Sequence, residues 1–176
     1  SKWSLAIEPC LTTTIGGKSA GTSVAVRSFI GMTEPSAVTA SRHLHAQGHF
    51  CMKSIAVMGK GGVHVGTAYL FSMVGQGGVQ AKCNLDLLDS IAFTLSGLVG
   101  PWILGGDWNC TPAELEQTGW LKKVGGTIHA PSTPTCNGKV YDYFVVATGI
   151  SDQVQSTHLI PDAGLFPHSP TRLVFR

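Results

Sequence analysis

The chain has 176 residues, enough for one domain and well short of the roughly 250 to 300 at which a single core usually splits. Charged residues make up only 12% of it, against roughly a quarter in ordinary soluble proteins, and 43% are hydrophobic, which excludes a disordered chain. The net charge of +2, carried by 12 scattered Lys and Arg residues, forms no basic stripe, and five cysteines without a C-x-x-C pair argue against a structural zinc site or a disulfide framework.

In chain order, β-rich runs bounded by Gly and Pro predict strands at Thr22 to Ile30, Met52 to Met58 and Val63 to Val74. The uncharged stretch Gly61 to Ala81 is long enough to span a membrane, but six glycines, His64, Gln76 and Gln80 interrupt it, so it reads as a strand plus loop. A helix follows from Asn84 to Leu98, where Leu85, Leu88, Ile91, Ala92, Leu95 and Leu98 recur at helical spacing and Asp86 and Asp89 fall in the first turns. A strand at Trp102 to Leu104 leads into a second helix, which Thr111 caps, Pro112 opens and Glu114 completes as a capping box, ending near Gly119. The last predicted strands are Val140 to Val146 and Arg172 to Phe175.

This order mixes hairpin and crossover connections and predicts α and β layers around a largely buried sheet. Val63 to Phe71 does not alternate between polar and apolar, as expected of a strand covered on both faces. So few charges imply either such burial or a larger polypeptide whose remainder covers part of this one. The unpaired cysteines and the absence of a cationic start with an apolar run lead to the expectation of an intracellular protein, nuclear or cytoplasmic, with no membrane partner.

Three segments carry candidate chemistry. The predicted strand at Trp102 runs into Gly105-Gly106-Asp107-Trp108-Asn109, and alternation puts Asp107 and Asn109 on one side with Trp108 opposite. A carboxylate and an amide so placed can bind a hydrated Mg²⁺ ion or hold a water for attack on phosphate, or can simply satisfy the backbone of a turn. Asp142 is an acid inside the apolar run Val140 to Val146, so it needs a His, an Arg or backbone donors. His168 stands between Pro167 and Ser169-Pro170, where the prolines restrict its direction. Arg27 and Arg42 are candidates for a phosphate-facing rim, and Thr135 for a further substrate contact. His43, His45 and His49 lie close in sequence with no Cys or acid beside them, so metal binding there is not expected.

Together and in this order, the segments resemble the endonuclease/exonuclease/phosphatase superfamily of metal-dependent, DNase I-like phosphoesterases. The resemblance rests on Gly106-Asp107-Trp108-Asn109, on Asp142-Tyr143, on the neighbourhood of His168, and upstream on Ala20-Gly21-Thr22-Ser23-Val24-Ala25-Val26 and Ala68-Tyr69. Trp108 and Gly119-Trp120 are most similar to branches linked to retroelements. The resemblance implies an α+β fold, a four-layer αββα sandwich lacking its N-terminal strand, that hydrolyses phosphodiester bonds in nucleic acid with Mg²⁺ or Mn²⁺. It implies that Asp107 activates water and ligates metal, that Asn109 holds water or a phosphate oxygen, that Tyr69 donates to phosphate, and that His168, fixed by Asp142, stabilises the transition state.

The sequence departs from the family pattern twice. The family's early Asn and Gln-Glu motifs have no counterpart, since Glu8 and Glu34 both precede Pro, and the Asp expected before His168 is Pro167. A dication held by one carboxylate keeps most of its water. The resemblance therefore implies weak or absent turnover by this chain alone, and the alternative is a degenerate copy that serves as a binding or structural module.

Overall fold

The computed structural model describes residues 2–12, 18–35, 48–57, 61–72, 79–160 and 163–176. The chain opens with β1 (Trp3–Glu8), β2 (Leu11–Thr12), β3 (Lys18–Ser19), β4 (Thr22–Arg27), β5 (Met32–Thr33), β6 (Phe50–Ile55) and β7 (Val63–Tyr69). Helix α1 (Val79–Ser96) crosses to β8 (Trp102–Asp107), and the short helices α2 (Pro112–Gln117) and α3 (Trp120–Val124) follow. The remainder is β9 (Gly126–His129), β10 (Asp142–Ala147), a 3-10 turn at Thr148–Gln153, β11 (Val154–Leu159) and β12 (Thr171–Phe175).

The principal sheet has six strands in the order β5-β6-β7-β8-β10-β9. Only the β7–β8 pair is parallel, because the α1 crossover joins those two strands, whereas all other neighbours are antiparallel. One face is covered by helices. Leu87, Leu88, Ile91, Ala92 and Leu95 of α1 form a single core with Ala68, Trp102, Leu104, Tyr143 and Val145 of the sheet and with Leu115 and Trp120 of α2 and α3. At the other face the antiparallel β1–β4 pair packs down, with Val24, Val26 and Ala6 meeting Cys51, Ile55 and Val65. A further pair, β11–β12, lies against β10.

Sheet thus faces sheet with helices outside, the α+β sandwich expected from the sequence. Among the described residues the helical layer lies on the side of the six-stranded sheet. Coverage on both faces explains why β7 does not alternate: His64, Gly66 and Ala68 are buried, Ala68 in the core that the helices cover, while Val65 meets the second sheet. Among the described residues, no helix is long and apolar enough to cross a membrane.

Two local features aim the end of β8. A Cβ on Gly106 would run into the Ala68 backbone of β7, so only glycine lets the two strands come this close. After Asp107 the chain turns at Asn109, whose φ of 45° is left-handed, a conformation that Asn tolerates better than most residues. The capping box at α2 is present in both directions, Thr111 accepting from the Glu114 N–H and Glu114 accepting from the Thr111 N–H.

Candidate active site

Three central strands deliver one row of side chains. In the sheet register Tyr69 pairs with Asp107, and Asp107 pairs with Asp142. Directly paired residues project to the same face. Here that is the face away from the helices, because the alternate positions Ala68, Leu104 and Tyr143 belong to the helix-covered core.

His168 arrives from the loop before β12. Its backbone bridges Cys136, and the Ser169 N–H donates to the Thr135 carbonyl at 2.8 Å. The imidazole Nδ1–H donates to Asp142 Oδ2 at 2.8 Å, while Nε2 lies 3.9 Å from Asp107 Oδ2. The Asp142–His168 partnership, one of three that the buried acid allowed, is therefore the one formed. Asp107 and Asp142 are mostly covered, with side chains 15% and 18% exposed, and His168 is the open member at 36%.

Asn109 braces the cluster. Its backbone N–H donates to Asp107 Oδ1 at 3.0 Å, and its side-chain Nδ2 donates to the Leu70 carbonyl at 2.8 Å and to Asp107 Oδ2 at 3.2 Å. Both amide hydrogens of Asn109 are thus used inside the protein.

Electrostatics follow from this crowding. Burial pushes the Asp107 carboxyl above its ordinary range, and the negative charge of Asp142 adds to the effect, against the hydrogen bonds from Asn109 and the nearby His168. Burial likewise pushes the Tyr69 phenol up, with the Asp107 charge adding to it and a hydrogen bond with Asn109 opposing it.

Other sequence candidates have different placements. Thr135 is 2% exposed, and its Oγ1 accepts the backbone N–H groups of Tyr141 at 2.9 Å and Asp142 at 3.0 Å. It therefore corrects the expectation of a substrate contact: the hydroxyl is a strut that sets the start of β10. Arg27 is not brought to the cluster. The Gly21 N–H, before β4, bonds the Gly48 carbonyl, and the His49 carbonyl next to it accepts from the Tyr69 N–H, so β4 begins at the site end of the sandwich. Arg27 closes that strand roughly 17 to 20 Å away at the usual strand rise, with its guanidinium 4.3 Å from the Trp3 ring centroid. Arg42, with His43 and His45, lies outside the described residues. Glu34 pairs with Lys53, and neither Glu8 nor Glu34 joins Asp107, Asp142 and His168.

Sequence reasoning passed over two supports. His49 is 2% exposed, its Nδ1–H donates to the Tyr69 carbonyl at 2.6 Å, and its ring lies 4.0 Å from that of Phe71. Burial holds its pKa below the usual value. Asn84, buried in α1, clasps the Phe71 backbone in both directions at 2.8 and 2.9 Å, fixing the chain just beyond Tyr69. A polar residue one turn before the apolar Leu88 was the visible signal for Asn84; His49 stood out only as one of three close histidines, and nothing in that grouping marked it as a buried support of Tyr69.

The donor set of Asp107, Asp142 and His168 can hold a metal ion, since one ligand atom from each lies within 4.8 Å of the others. Two carboxylates and an imidazole suit Mn²⁺ and, through the carboxylates and water, Mg²⁺. The raised Asp107 carboxyl fits such a group, because a cation beside it would offset both the burial and the repulsion from Asp142.

No protein-family model matches the chain, and no curated protein matches it in sequence. Solved structures do. The endonuclease domain of TRAS1, a telomere-specific non-LTR retrotransposon, is similar over 98% of this chain and 78% of its own, with 12% identity and a TM-score of 0.71. The apurinic endonuclease LMAP from Leishmania major matches 99% of this chain and 71% of its own, at 12% identity and a TM-score of 0.71. The 3′ phosphatase NExo from Neisseria, solved with a product DNA hairpin, matches 99% and 80%, at 12% identity and a TM-score of 0.64. Likeness at this identity establishes the fold: the chain has the DNase I-like fold of the endonuclease/exonuclease/phosphatase proteins.

Proposed function

We propose that this chain is a metal-dependent phosphoesterase of nuclease type that hydrolyses phosphodiester bonds in nucleic acid. The observation that carries the reading is the convergence of Tyr69, Asp107, Asn109, Asp142 and His168 on one face at one end of the sheet, with His168 2.8 Å from Asp142 and 3.9 Å from Asp107. Structures of similar fold are described as nucleases or as a DNA 3′ phosphatase, which supports the same substrate class.

The residues divide the work as follows. Asp142 accepts the Nδ1–H of His168, which fixes the ring and leaves Nε2 facing the open site. His168, the most exposed member, sits where it can donate from Nε2 to a phosphoryl oxygen as charge builds there. Asp107, held at both oxygens by Asn109, orients the attacking water and accepts its proton. Tyr69, next to Asp107 in the register, donates its phenolic hydrogen to the phosphate. Asp107 with Asp142 would hold Mg²⁺ or Mn²⁺, which when bound supplies Lewis-acid polarisation of the phosphoryl group.

A second reading has its own observation. Pro167 stands where the resemblance calls for an Asp before His168, so the metal has fewer carboxylates than in the family pattern. On that ground the chain alone turns over slowly, or serves as a non-catalytic DNase I-like module. Hydrolysis of supercoiled DNA and of bis(p-nitrophenyl) phosphate across a Mg²⁺ and Mn²⁺ titration decides between them. Turnover that is lost in both Asp107→Ala and His168→Ala supports the enzyme; turnover indifferent to both sinks the site, and silence at all metal concentrations favours the module.

A further inference from the structure

Phe166 is 95% exposed and Leu165 66% exposed, and both lie within three residues of His168. Two extended residues span at most about 7 Å, so the Phe166 backbone is that close to the backbone of the most open group in the site. A phenylalanine so exposed forgoes the burial of some 150 to 250 Å² that aromatic side chains ordinarily gain. On the neighbouring loop, which the Cys136–His168 bridge ties to this one, exposed Lys139 holds its ammonium 5.9 Å from the Tyr141 ring centroid. An apolar ring and a cation therefore stand on two loops tied together beside the phosphate-handling imidazole.

We infer that Phe166, backed by Leu165, is a nucleobase platform that stacks on the base flanking the phosphate at His168. This rests on the phosphodiesterase reading and adds a substrate class to it: single-stranded or locally unpaired nucleic acid, because a base inside a duplex has no free face to offer. Stacking is tolerant of sequence, so the platform selects for an unstacked base and not for its identity. Lys139 supplies the matching charge for the backbone beside that base.

The test is a binding cycle without turnover. A fluorescein-labelled single-stranded DNA oligonucleotide and an abasic oligonucleotide of the same length are titrated with the wild-type chain, Phe166→Ala and Phe166→Trp in EDTA, and anisotropy is read. Phe166→Ala is expected to weaken binding of the base-bearing strand about 5- to 150-fold and to leave the abasic strand unchanged, while Phe166→Trp retains wild-type affinity. Equal affinity of wild type and Phe166→Ala for the base-bearing strand overturns the inference. So does an equal loss on both strands, or no binding by the wild type. Failure of the phosphodiesterase reading is seen separately, as hydrolysis of bis(p-nitrophenyl) phosphate that survives His168→Ala, and does not alter the anisotropy result.

Discussion

Replacing Thr135 by Val keeps the shape of the side chain and deletes one oxygen. That oxygen accepts two backbone N–H groups, from Tyr141 and Asp142, in a position 2% exposed. Each donor left without a partner costs about 1 to 3 kcal/mol, and because Tyr141 and Asp142 are only half-buried, a total of about 2 to 4 kcal/mol is expected. For a chain of this size that lowers Tm by about 5 to 15 °C. Thr135→Ser keeps the acceptor and loses one methyl group, so it should cost about 1 kcal/mol. The damage is also directional: the two N–H groups open β10 where Asp142 meets His168, so Thr135→Val should lose activity even at temperatures where it is fully folded. Thermal unfolding followed by circular dichroism, with phosphodiester hydrolysis measured well below Tm, checks both parts. A Thr135→Val protein within about 0.5 kcal/mol of wild type, or a Thr135→Ser protein as damaged as Thr135→Val, would refute the strut.

The Asp107 carboxyl is raised by burial, so the folded state binds its proton more tightly than the unfolded state does; its contribution to stability is complete below the ordinary carboxylate pKa and is lost as pH rises through the raised one. Asp107→Asn should therefore match wild type in acid and melt higher than wild type at pH 7 in EDTA, and a lower melting point at pH 7 would contradict this. Asp142→Asn keeps the size of the side chain but removes the charge that holds the His168 ring, so kcat should fall about 10²- to 10⁴-fold with the fold intact. Steady-state kinetics on bis(p-nitrophenyl) phosphate measure it, and an unchanged kcat would show that the pair has no catalytic part.

Much of the frame was legible because the hydrophobic pattern and the structure answer to the same burial. The predicted strand from Val63 and helix from Asn84 appear as β7 and α1, with α1 beginning earlier, at Val79. What the sequence hid was strand chemistry that breaks the usual pattern. In β1 the large residues Trp3, Leu5 and Ile7 are 50% or more exposed while small Ala6 meets the core, the reverse of ordinary alternation. Strand β11, Val154–Leu159, is mostly polar, and α3 has five residues between two left-handed glycines, Gly119 and Gly125. In the site, Asp107 and Asp142 were visible as acids among apolar neighbours. The role of Thr135 was not, because nothing local distinguishes a hydroxyl that binds substrate from one that binds the backbone six and seven residues on.

The electrostatics of the row bear on what these residues do together. Placing two carboxylates at directly paired positions on adjacent strands is destabilising, and burying them makes it more so. Nothing in the packing of the sandwich requires it: the neighbouring rows of the same strands carry Gly106 with Tyr143 and Gly105 with Phe144, uncharged pairs that close the sheet without penalty. Even a protonated His168 would cancel only one of the two charges. The remaining negative charge is a poor environment for a phosphodiester and a good one for a cation, and a bound dication would turn the same row from repelling phosphate to attracting it. Folding alone would gain stability near neutral pH by losing the Asp107 charge, so the proposed phosphoesterase reading gives that charge a use which the packing of the sandwich does not.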